Sequence, residues 1–120
     1  MQLIRNDPTS MVESTEPIMQ GLVRYRVLVD VDRTEQLRIQ RVRFEAGGRN
    51  RMHTHDFDQV LYILDGEGIV ATGTEEHRVR TGDVVVIPAG ERHWHGGTAT
   101  TALEHLAIGH PGVSIISEEE

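Results

Sequence analysis

The chain has 120 residues, a formal net charge of -7 and no cysteine. That length supports one domain with one core. The acidic balance, with no basic stripe, argues against a nucleic-acid partner, and the lack of thiols excludes disulfides and thiolate metal sites. Aromatic residues are scarce, with one Trp, two Tyr and two Phe, so the core is expected to be built from Val, Ile and Leu. The opening stretch MQLIRNDPTSMVESTEP is too polar for a signal peptide, and no run approaches membrane-spanning length. A single cytoplasmic domain without a membrane partner is the expectation.

Residues 1–20 carry Asp, Pro, Ser, Thr and Glu and read as an irregular arm. LVRYRVLVD alternates in part and predicts a strand. EQLRIQRVRFEAGG predicts a longer strand ended by Gly47 and Gly48. RMHTH is short and extended. QVLYIL predicts a strand, DGEG a hairpin turn and GIVATG the returning strand. EEHRVR, TGD and VVVIPAG give strand, turn and strand, followed by RHWHGG and TALEHLAIGH. Residues 118–120 form an acidic tail. No 3.6-residue apolar stripe appears. Many short strands at regular spacing predict an all-β closed or double-sheet domain over residues 21–117.

In a strand, residues i and i+2 share a face. Arg51, His53 and His55 then share one, as do Gln59, Leu61 and Ile63. His93 and His95 share another, with Trp94 opposite. A barrel gathers such inward faces, which lets His53, His55, Gln59 and His93 converge.

The spacing resembles a known family. Gly47, five residues, His53, one residue, His55, three residues, Gln59, six residues, Gly66 is similar to the first cupin motif. Gly82, five residues, Pro88, one residue, Gly90, two residues, His93 is similar to the second. The family usually has Glu at the position of Gln59 and often Asn at that of Gly97. The resemblance implies a double-stranded β-helix, the cupin jelly-roll barrel, with one divalent transition metal (Mn, Fe, Zn, Ni or Co) held by His53, His55, Gln59 and His93. The donor chemistry agrees, since imidazole and an amide oxygen suit first-row ions. A neutral Gln59 in place of a carboxylate leaves the ion its full charge and makes it a stronger Lewis acid.

HTH, RHWHGG and TTALEHLAI are further similar to small bacterial cupins with hydroxynitrile lyase activity and to cupin relatives of carboxymuconolactone decarboxylases. That resemblance implies His95 and His105 as acid/base groups in the pocket. From the residues alone, His95 is either a general acid/base or a hydrogen-bond partner of the ligands. His105 overlooks the same cavity if Leu103 and Ala107, on its face, point inward; otherwise it is a surface residue. Arg51 either grips a substrate carboxylate bidentately or reaches out to water. Arg41 and Arg43 lie opposite Val42 and Phe44 and are expected to be exposed or at a subunit contact. His77 and His110 carry no assigned role. Three functions remain open: Lewis-acid chemistry on a small hydroxy or carbonyl compound, Fe(II)-dependent dioxygen chemistry, and metal or small-molecule binding without turnover. A small-molecule substrate is the expected partner. Small cupins pair N-terminal strands, so a homodimer through GLVRYRVLVD is expected too.

Overall fold

The expected alternation produces strands almost throughout the computed structural model, which describes residues 1–117. β1 (Val12–Glu13), β3 (Val23–Val29), β4 (Arg38–Phe44) and β11 (Leu103–Gly109) lie side by side, all antiparallel. β11 continues to β7 (Gln59–Ala71), whose first half also pairs β9 (Val84–Ile87). The second half of β7 pairs β8 (Glu76–Arg80) on one side and β10 (Trp94–Gly97) on the other. From β10 the sheet passes to β5 (Arg49–Asn50) and β2 (Met19–Gln20). A separate pair joins β6 (His53–His55) to β12 (Ser114–Ile116). The result is the expected all-β jelly roll. No helix among the described residues is long and apolar enough to cross a membrane.

The hairpin expected at DGEG is absent. Residues 59–71 form one strand of 13 residues whose first half pairs β9 and whose second half pairs β8 and β10. Gly66 has φ of 86°, and a Cβ there would lie 2.1 Å from the carbonyl oxygen of Ala102. The pairing shifts register opposite Glu104 and His105. Glycine therefore serves a continuous strand beside an irregularity in pairing, not a reversal; both uses draw on the same backbone freedom.

The N-terminal arm also departs from the expected irregularity. Besides a 3₁₀ turn at Pro8–Ser10, it contributes β1 and β2. β1 lies along Arg24 and Tyr25, so the β3 edge expected to receive a second copy is partly taken. The acidic tail expected at 118–120 falls outside the described residues.

Inward positions match the two-residue period. Leu61, Ile63, Val70, Val79, Ile87, Leu103 and Ala107 form one buried cluster; Val23, Val42 and Phe44 form another. Arg41 and Arg43 lie on the face opposite Val42 and Phe44 but are half-buried, and neither is a free charge. Both reach Glu104, which is buried, and Arg43 also bonds Glu45 at 2.7 Å.

Candidate metal centre

Local strand geometry sets the first two imidazoles. His53 and His55 occupy alternate positions of a three-residue strand, so both rings point inward. His53 and His93 are joined by two backbone hydrogen bonds, of 2.9 and 3.0 Å, and their ring centroids are 4.2 Å apart. One ligating nitrogen from each of His53, His55 and His93 falls within 4.8 Å of the other two. All three residues are buried, and so is Gln59 at the start of β7.

Hydrogen bonds at the far side of each ring set its protonation. His53 Nδ1 donates to the carbonyl oxygen of Arg51 at 2.6 Å, and His93 Nδ1 donates to that of Glu91 at 2.9 Å. A carbonyl only accepts, so both rings carry their proton on Nδ1 and present a bare Nε2. His55 Nδ1 is held by the Ser114 hydroxyl at 2.7 Å. Burial keeps the rings neutral. It lowers the His53 pKa to about 3, helped by the neighbouring His93. Burial, then His93, lowers that of His55 to about 4, with the Gln59 side chain and Asp56 acting in the opposite sense. The His93 pKa is lowered too, first by burial.

The inner atoms fit a cation. His53 Nε2 and His55 Nε2 are 3.2 Å apart. Two nitrogens bound to one ion at the usual length lie roughly 3–3.5 Å apart. His93 Nε2 and Gln59 Oε1 are buried with no hydrogen-bond partner among the described residues. Orphaned acceptors of this kind are costly, and one ion would engage these as well as the His53–His55 pair.

A second pair of histidines continues from this cluster. His95 lies 4 % and His105 0 % exposed, and both line a cavity of about 310 Å³ together with His53, His55 and Gln59. His95 Nδ1 and His105 Nε2 are 3.1 Å apart. Asn50 Oδ1 accepts the backbone N–H of His95 at 2.8 Å, which turns the amide nitrogen of Asn50 toward His95 Nε2 at 3.3 Å. His95 Nε2 therefore accepts, and its proton sits on Nδ1, facing His105. Burial pushes the His95 pKa well below its ordinary value, with His105 adding to the effect, and burial takes that of His105 to about 4.

The cupin domain model matches residues 40–109, more than half of the chain. This chain belongs to the cupin family. Over 68 residues this cupin is 44% identical to an (R)-mandelonitrile lyase of Granulicella tundricola, covering 56% of this chain and 52% of that one. Over 48 residues it is 40% identical to an acireductone dioxygenase of a Sulfurihydrogenibium species, covering 37% and 27%. It thus spans about half or less of the length of these relatives. A solved cupin-like protein of Thermotoga maritima matches with a TM-score of 0.83 and 27% identity over 96% of this chain and 94% of that one.

Of the residues singled out from the sequence, the cupin barrel brings together His53, His55 and His93, and places Gln59, His95 and His105 on the cavity that His53 and His55 also line. His105 does share the inner face with Leu103 and Ala107. Arg51 is not among the lining residues. The chain bends at Met52, ahead of β6, so the alternation that places His53 and His55 does not extend back to Arg51. What Arg51 supplies is its carbonyl, under His53. Three residues of this cupin were not anticipated. Arg38 lines the cavity and was legible from the alternation back from Phe44 and Val42. Asn50 and Ser114 left no signal, since each acts through a pairing of segments distant in the chain.

Proposed function

We propose that this cupin is an enzyme that holds one divalent transition metal with His53, His55, Gln59 and His93. It acts on a small hydroxy or carbonyl compound, in carbon–carbon bond cleavage and formation of the hydroxynitrile lyase kind. The observation that carries the proposal is the trio of buried imidazoles, with a ligating nitrogen of each within 4.8 Å of the others, together with the buried acceptors His93 Nε2 and Gln59 Oε1, which have no hydrogen-bond partner among the described residues. The likeness to the mandelonitrile lyase supports the choice of reaction. When bound, the metal supplies Lewis acidity toward the substrate oxygen, undiminished because Gln59 brings no charge.

The residues of the chain then have separate tasks. The carbonyls of Arg51 and Glu91 and the hydroxyl of Ser114 hold the three rings in place. Phe44 packs on both His95 and His105, at 5.6 Å from each, and keeps their end of the cavity apolar. The His95–His105 pair, neutral at ordinary pH, takes the hydroxyl proton at His95 Nε2, the acceptor nitrogen that the Asn50 amide otherwise meets, as the bond to cyanide breaks and returns it to the departing cyanide. A carbonyl compound and hydrogen cyanide are the products, and the proton count balances.

A second reading, dioxygen chemistry at iron held by the same histidines, is favoured by the likeness to an acireductone dioxygenase. Metal analysis of protein purified anaerobically without added metal, followed by assays of cyanohydrin cleavage and of oxygen uptake, separates the two. Cyanohydrin turnover without oxygen uptake is expected. Oxygen uptake with iron alone would replace the first reading by the second, and retained metal without turnover of any such compound would leave a binding protein.

A further inference from the structure

We infer that Arg38 grips the carboxylate of a hydroxy or keto acid whose hydroxyl or carbonyl oxygen sits at the histidine cluster. The inference names the substrate class of the same cavity and rests on the proposed function.

The inward face of β4 grades along its length. Phe44 and Val42 are buried, Gln40 is half-buried, and Arg38 closes the series; all four line the cavity. The apolar end lies against His95 and His105. Arg38 stands at the opposite end, where it also borders an outer hollow lined by Phe57 and His110. A substrate entering from that hollow passes Arg38 before it reaches the histidines.

The guanidinium is held but not used up. Arg38 Nε donates to Asp30 Oδ2 at 3.2 Å, while the two Nη nitrogens have no hydrogen-bond partner among the described residues. Both partners of that ion pair are about a third exposed, so the pair contributes little to stability. Its effect is to fix one edge of a planar fork and leave the other edge open, the arrangement that suits a carboxylate.

The spacing also fits a substrate with two anchored ends. Arg38 pairs with Gly109, and the register of β11 on β7 (Ile108 against Val60) brings Gln59 level with it. The backbones at Arg38 and Gln59 are thus two strand spacings apart, about 10 Å. Gly109 has no side chain to fill the gap, and the ring of Phe57 lies against it as an apolar floor. Neutral Gln59 adds no repulsion of an anion. Glu16 does: it lines the cavity from the segment before β2, but is exposed to water.

Binding of 4-oxopentanoate and of its methyl ester to metal-loaded protein tests the assignment by calorimetry. In that acid the ketone and carboxylate are too far apart for a shared local contact to explain a preference. Wild-type protein is expected to bind the acid roughly tenfold or more tightly than the ester. Arg38→Gln should remove the difference by weakening the acid alone, with metal content unchanged. Arg38→Lys should keep part of it, and Glu16→Gln should enlarge it. Equal binding of acid and ester by wild type, no binding of either, or a preference that survives Arg38→Gln would each overturn the assignment. If the protein holds no metal and the acid preference still depends on Arg38, the metal reading fails and the assignment of Arg38 stands.

Discussion

Asn50 sets the direction in which His95 faces His105. Its side-chain oxygen is committed to the backbone N–H of His95, at 2.8 Å, so only its nitrogen is left to meet the ring. A neutral imidazole with a donor at Nε2 must keep its proton at Nδ1. One amide thereby fixes the tautomer of a residue assigned to proton transfer.

Asn50→Asp should reverse that arrangement. The new carboxylate offers only acceptors to the ring, so the proton of His95 moves to Nε2 and the bond to His105 is remade. Nitrogen NMR of labelled histidine, on protein loaded with zinc, should show the change of tautomer. Metal content should stay constant and kcat fall roughly 10- to 100-fold. An unchanged His95 tautomer in the variant would remove this role from Asn50.

The histidines should divide into two groups. His53→Ala and His93→Ala are expected to lose bound metal and the rise in thermal stability on metal addition, because binding free energy stabilises only the folded chain. His95→Ala should keep its metal, yet lose roughly 100-fold in kcat on a cyanohydrin. His105→Ala should behave like His95→Ala, since both rings line the cavity. Metal lost from His95→Ala would make His95 a ligand; full activity in both variants would move proton transfer elsewhere.

Gln59→Glu should keep the metal or hold it more tightly. It should turn over more slowly, because the added charge offsets part of the charge of the ion. Equal or faster turnover would leave glutamine at this position without a charge-based reason.

Acid should destabilise the protein between about pH 6.5 and the low pKa values of its buried rings. His53 titrates at about 3 and His55 and His105 at about 4 in the folded state, against 6.5 for the free side chain. Below 6.5 the unfolded chain takes up protons that the folded chain does not, so unfolding gains as pH falls, by about 1.4 kcal/mol per histidine and pH unit. Above 7 this contribution is flat. Urea midpoints measured from pH 8 to 4 should therefore fall below 6.5. The metal-loaded curve should start higher and converge on the metal-free one as protons displace the ion. A midpoint constant down to pH 4 would show that these rings are not held neutral by burial.

The residue types and spacings alone determined the strand-rich fold class, the paired inward histidines and the neutral Gln59. These are local properties: a two-residue period decides which face a side chain takes, and glycine and proline mark where the chain can turn. The same local rules misjudged DGEG, because a glycine freed for an irregular pairing and one freed for a hairpin look alike until the partner strands are known. Tertiary structure alone decided that β11 brings His105 within 3.1 Å of His95, that Ser114 supports His55 from 59 residues away, and that Asn50 orients His95. It also put Arg38 on the cavity. Alternation predicts the face of a strand but not what crosses over that face, which depends on register between strands far apart in the chain.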